Sequence, residues 1–211
     1  MNPQEGHAKD VRYGGKPLGN AAKALIMIHG RGGSAADIMS VSAHLHVADY
    51  ALVAPQATNH TWYPFPFVAP PQQNEPWLSS ALALLQALVA EITGTGVSTE
   101  NIYFTGFSQG ACLTLEFVAR RAAKYGGVAA FTGGLIGDKL YTDNYHGDFS
   151  GTPIFIGSSD PDPHVPVQRV VETAKVLRSM HAEVTEILYD NMGHTIIQEE
   201  IDLVNKLMFN V

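Results

Sequence analysis

Asn101-Ile-Tyr-Phe-Thr-Gly-Phe-Ser-Gln-Gly-Ala-Cys-Leu-Thr-Leu-Glu-Phe-Val-Ala-Arg120 is the stretch that decides how this chain is read. Residues 102–105 form a short β-prone run. Gly106-Phe-Ser-Gln-Gly110 follows, and apolar residues then recur at helical spacing (Leu113, Phe117, Val118). Strand, tight turn and helix with serine at the apex is the pattern of a nucleophile elbow. Such a turn strains the serine backbone, so residues without a Cβ are needed on both sides. In return the hydroxyl stands clear of the sheet beside the positive end of a helix.

Outward from this element, strand and helix signals alternate. Ala24-Leu-Ile-Met-Ile28 is the continuous apolar run of a buried parallel strand, and it ends in the glycine-rich loop His29-Gly-Arg-Gly-Gly-Ser34. An edge strand is expected near residues 7–13, a helix over 36–47 and a strand over 51–54. A long helix should follow Pro76, with Leu78, Leu82, Leu85, Val89 and Ile92 on one face. The helix after the elbow is expected to close at Gly126-Gly127. Strands are expected at 128–131, 153–156 and 183–189, with a helix over 167–180 and another at the C-terminus. The pattern predicts one α/β domain over residues 1–211, with a mostly parallel sheet and helices on both faces.

Residues 55–76 interrupt the alternation and carry six of the 12 prolines together with Trp62, Tyr63, Phe65 and Phe67. Long ordered loops tend to be functional. We read a stiff excursion that packs its aromatic side chains over a cleft, so these four residues are candidate substrate contacts. Whether it moves as a lid the sequence leaves open.

Composition narrows the function classes. The chain has 211 residues, 45% of them apolar and 16% charged, and a net charge of −7 without a basic cluster. That fits a compact fold and disfavours nucleic acid and anionic membranes as partners. The N-terminal ten residues have no apolar core of the signal-peptide kind, and the stretch 78–90 is too short to span a bilayer. Stable membrane insertion is not expected, and a cytoplasmic location is. The single cysteine, Cys112, excludes an internal disulfide framework and reads as a buried small residue. His44 and His46 are two apart and would face different sides of a helix, so no metal site and no cofactor are expected. A homo-oligomer is neither required nor excluded.

A serine hydroxyl becomes a useful nucleophile when a base takes its proton and a carboxylate orients the base. His146, His164, His181 and His194 follow Ser108. His194, after the last strand and opening the last helix, is the candidate base. His164 reads as a residue of the cleft rim. Asp160 and Asp162 share one loop as candidate orienters, and spacing favours neither. The oxyanion hole needs two main-chain N–H groups aimed at one point. Gln109, directly after the serine, is placed to supply one, and Arg31 in the early glycine-rich loop the other. The Arg31 side chain is expected either to meet an anionic substrate group or to stand in solvent, and His29 to tie down its own loop.

With these pieces in view, the chain resembles the phospholipase/carboxylesterase family of α/β hydrolases, which includes acyl-protein thioesterases and small bacterial carboxylesterases. His29-Gly-Arg-Gly32, Gly106-Phe-Ser-Gln-Gly-Ala111, Thr132-Gly-Gly-Leu135, Asp162-Pro-His-Val-Pro166 and Gly193-His194 fall in the family's order and approximate spacing. The resemblance implies an α/β-hydrolase fold, Ser108, Asp162 and His194 as a triad, and the amides of Arg31 and Gln109 as the oxyanion hole. Two places depart from the family: Gly157-Ser-Ser159 stands where His-Gly often precedes the acid, and the 55–76 excursion is richer in aromatics. The expectation is therefore a serine esterase acting on small, including aromatic, esters. A thioesterase or lysophospholipase acting on long acyl chains is the alternative. A ligand-binding module on a hydrolase scaffold is the alternative from another class, against which a complete candidate triad weighs.

Overall fold

The computed structural model describes residues 6–209; the first five residues of the polar N-terminal stretch lie outside it. Seven strands form one sheet in the order β1-β3-β2-β4-β5-β6-β7. They are β1 (Val11–Gly15), β2 (Lys23–Ile28), β3 (Tyr50–Pro55), β4 (Ile102–Phe107), β5 (Gly127–Phe131), β6 (Pro153–Asp160) and β7 (Glu183–Asp190). β1 runs antiparallel to β3, and every other neighbouring pair is parallel. The helices are α1 (Ala35–Ser40), α2 (Trp77–Gly94), α3 (Gln109–Arg120), α4 (Val167–Ser179) and α5 (Gln198–Met208).

Alternation along each strand splits the apolar residues between two cores. Ala24, Ile26 and Ile28 face one side with α2, α3 and α4, whereas Leu25 and Met27 face the other with α1 and α5. This is the expected α/β-hydrolase arrangement. The elbow sits at its centre, because β4 is flanked by β2 and β5 and buried almost throughout.

Several boundaries differ from the sequence reading, each for a local reason. The expected helix over 36–47 stops at Ser40 and continues as a 3₁₀ turn to His44. Ser40 and Ser42 bond back to the carbonyls of Asp37 and Met39, both at 2.7 Å, and so compete with the helical ladder. The edge strand starts at Val11 rather than near His7. α3 ends at Arg120, and Gly126-Gly127 is not its cap: a Cβ at Gly126 would strike the Tyr103 ring, and one at Gly127 the Met208 side chain. β6 runs four residues further than expected, to Asp160.

α2 is longer than the apolar stretch seen in sequence. By length and mean hydropathy, 18 residues and 1.4, it could cross a membrane. Its Leu78, Leu84, Leu85, Leu88, Val89 and Ile92 are instead buried in the core shared with α3.

Candidate active site

All the parallel strands end at one edge, and the loops leaving that edge carry the candidate residues. Ser108 follows β4 directly with φ 54° and ψ −119°, a left-handed backbone strained for a residue with a side chain. The flanking glycines explain how the turn closes. A Cβ on Gly106 would meet the carbonyl of Gly110, and one on Gly110 would collide with the carbonyl of Ile28 on β2. The Ser108 amide donates to the Phe131 carbonyl at 2.9 Å, which ties the elbow to β5.

The loop after β6 brings Asp162, and the loop after β7 brings His194. His194 Nε2 lies 2.8 Å from Ser108 Oγ, and its Nδ1 lies 2.8 Å from Asp162 Oδ2. The other carboxylate oxygen, Oδ1, accepts the amides of His164 and Val165, both at 2.8 Å. Burial disfavours the charged form of Asp162, but the bonds from His194 and the two amides outweigh it and hold the carboxyl below the usual carboxylate range. Asp160 takes no part in this chain of contacts: it is the last residue of β6, exposed and in register with Asp190. His194 does not open a helix, since α5 begins at Gln198. Its loop is held instead by the Gly193 amide, which donates to Ser159 Oγ at 3.0 Å. Ser159 therefore positions the loop of the candidate base, a part for which the sequence held no signal beyond its departure from the family pattern.

A cleft of about 490 Å³ opens over Ser108. Tyr63, Pro64, Pro66, Phe67, Phe107 and Val165 wall it, and Cys112 lies in its lining. Burial pushes the Cys112 thiol up to about 12, so it stays protonated and unreactive at neutral pH. His164 is exposed on the rim, its ring 4.9 Å from that of His194. Of the four excursion aromatics expected at the cleft, Tyr63 and Phe67 line it and the other two do not. Trp62 is wholly buried and donates through Nε1 to the His29 carbonyl at 2.8 Å, whereas Phe65 is 48% exposed.

The early glycine-rich loop is fixed by His29. Its Nε2 accepts the Ala57 amide at 3.1 Å, which leaves the proton on Nδ1 to bond the Gly30 carbonyl at 2.8 Å. Burial lowers the pKa of this imidazole and keeps it in that neutral form. The main-chain N–H groups of Arg31, in the early glycine-rich loop, and Gln109, the first residue of α3, have no acceptor among the described residues, and both residues line the cleft with Ser108. Arg31 is exposed, as the solvent reading expects, but its guanidinium is not free: it is bonded to the excursion.

A profile of the phospholipase/carboxylesterase family matches residues 15–209. The chain belongs to the phospholipase/carboxylesterase family. Among relatives in this family, acyl-protein thioesterase 1 of Kluyveromyces lactis is 33% identical over 134 residues, 62% of this chain and 59% of its own length. A probable carboxylesterase SOBER1-like of Arabidopsis thaliana is 28% identical over 136 residues, 64% of this chain and 52% of its own. The chain thus spans little more than half the length of the curated relatives it matches. Among solved structures, a phospholipase/carboxylesterase from Dyadobacter fermentans superposes with a TM-score of 0.97 at 53% identity, covering 99% of this chain and 100% of that one. Esterase PE8, at 21% identity and a TM-score of 0.77 over 95% and 96% of the chains, shares the fold.

Proposed function

We propose that this chain is a serine hydrolase that cleaves carboxylic esters through an acyl-enzyme, with Ser108, Asp162 and His194 as its triad. The observation that carries the reading is the continuous contact from carboxylate to imidazole to hydroxyl, with both links at 2.8 Å. Ser108 Oγ attacks the ester carbonyl carbon while its proton passes to His194 Nε2. Asp162 holds the proton on Nδ1 and stabilises the imidazolium that forms. The carbonyl oxygen becomes an oxyanion bonded by the amides of Arg31 and Gln109. As the intermediate collapses, the C–O bond to the alcohol breaks and Nε2 returns the proton to the leaving oxygen. Water, deprotonated by the same nitrogen, then attacks the acyl carbon and releases the acid and free Ser108.

The substrates we assign are small esters, aromatic ones included. Their support is the modest cleft with aromatic and proline walls. Relatives called acyl-protein thioesterase favour a second reading, hydrolysis of long-chain acyl thioesters. A series of p-nitrophenyl esters from acetate to palmitate separates the two, since activity should fall with chain length under the first reading and rise under the second.

A fluorophosphonate probe should label the wild type, and Ser108→Ala should lose both labelling and p-nitrophenyl acetate hydrolysis. Turnover that survives in Ser108→Ala would sink the proposal.

A further inference from the structure

Arg31 reaches out of the early glycine-rich loop into the excursion. Its Nη1 donates to Thr61 Oγ1 and to the Pro64 carbonyl, both at 3.0 Å. Its Nη2 donates to the carbonyls of Tyr63 at 2.9 Å and Phe65 at 3.0 Å. One planar fork is thus committed to residues 61–65, and three of its acceptors are consecutive carbonyls. Three carbonyl dipoles turned toward one point repel each other unless a cation sits at the focus.

Gln109 grips the same stretch from the elbow side. Its Oε1 accepts the Trp62 amide at 2.9 Å, and its Nε2 donates to the Tyr63 carbonyl at 2.8 Å. The Tyr63 carbonyl is therefore shared between the two side chains. Arg31 and Gln109 are also the residues whose main-chain N–H groups are read above as the oxyanion donors. Tyr63, Pro64, Pro66 and Phe67, which wall the cleft, lie inside the gripped segment or just after it.

We propose that the Arg31 guanidinium, acting with the Gln109 carboxamide, locks residues 61–65 to the two oxyanion donors, so that this wall of the cleft, which we assign to the acyl group, and the oxyanion hole move as one body. Arg31 is in this sense a positioning residue that also sets acyl length. The inference rests on the esterase reading above. A short acyl group fits with the lock closed. A longer one must push the wall outward, break the fork and draw both amides away from the developing oxyanion. Discrimination then appears in kcat more than in KM, because the penalty falls on the transition state. Lysine cannot substitute, since a compact ammonium does not span the positions reached by a planar fork.

The test uses the full chain and p-nitrophenyl esters with two to eight acyl carbons. Arg31→Ala should lower kcat on the acetate by about 10–100-fold, the cost of a misplaced catalytic group, with a much smaller change in KM. Its preference for short acyl groups should flatten. Methylguanidine should restore part of the lost kcat and methylamine should not, while Arg31→Lys should behave like Arg31→Ala. Gln109→Leu, which keeps the main-chain amide, should show the same flattened profile and carries the test if Arg31→Ala does not fold. Wild-type kcat and profile in a folded variant would overturn the proposal, as would a loss that methylguanidine leaves untouched. Fluorophosphonate labelling of the wild type keeps two failures apart. Without it the esterase reading falls; with it and an indifferent Arg31→Ala, only the lock falls.

Discussion

At the residue scale, the proposed chemistry depends on how Asp162 is held. Its buried side chain spends one oxygen on two backbone amides and the other on His194, so its orientation is fixed by its own loop. Asp162→Asn would keep most of the shape and disturb the tautomer of His194. The expected result is a fall in kcat on the order of 10⁴-fold with KM nearly unchanged. Steady-state kinetics on p-nitrophenyl acetate would check it, and a loss of less than about tenfold would mean that Asp162 does not orient the base. Ser108 and its two glycines were legible in sequence because the motif is contiguous: the turn brings Gly106 against the Gly110 carbonyl, although Gly110 itself is required by the approach of β2 at Ile28. The side-chain contacts of Arg31 and Gln109 were not legible. Their partners lie about 30 to 50 positions away in the chain, and nothing in a Ser-Gln-Gly triplet marks the glutamine as a clamp.

At the element scale, α5 carries a buried acid behind the active edge. Glu200 accepts the Ile197 amide at 3.0 Å, and its other oxygen lies against Gly157, where a Cβ would collide with it. Burial, aided by nearby Glu199 and opposed by the Ile197 bond, raises its pKa to about 7. The unfolded chain releases this proton near the ordinary value of 4.5. Between those two values the folded state holds more protons, so stability falls as pH rises and levels off above about 7. The cost is on the order of 3 kcal/mol across that window. Glu200→Gln should flatten the dependence, which urea melts from pH 5 to pH 8 would show; equal slopes in variant and wild type would refute the assignment. The sequence reading also erred at this scale. Gly157-Ser-Ser-Asp160 reads as loop by composition, yet it pairs in register with β7 because Gly157 admits Glu200 and Ser159 bonds Gly193. Tertiary partners overrode local preference there.

At the scale of the whole molecule, the expected fold followed from strands whose apolar runs are continuous. β2, β3, β4 and β5 are buried on both faces, and such runs announce themselves in sequence. Half-buried β7 was placed to within a residue, whereas the end of α1 was missed where serine hydroxyls set it, and that of α3 because Gly126 and Gly127 serve packing on Tyr103 and Met208 rather than a cap. The core on the α3 side is keyed by Phe104, wholly buried, with ring centroids 5.7 Å from Phe117 and 5.2 Å from Tyr125. Phe104→Ala should cost about 3–5 kcal/mol in a urea titration, the range for emptying an aromatic site in a packed core. A loss under about 1 kcal/mol would mean that the neighbouring rings close over the gap.

The strand order places the proposed nucleophile and its proposed activators in unequal surroundings. Ser108 hangs from the enclosed middle of the sheet, while Asp162 and His194 hang from the last two strands on one side, the outermost only half covered. Loosening at that margin would disconnect the proposed proton relay while the serine and the interior beneath it keep their places. Such a protein falls silent before it falls apart.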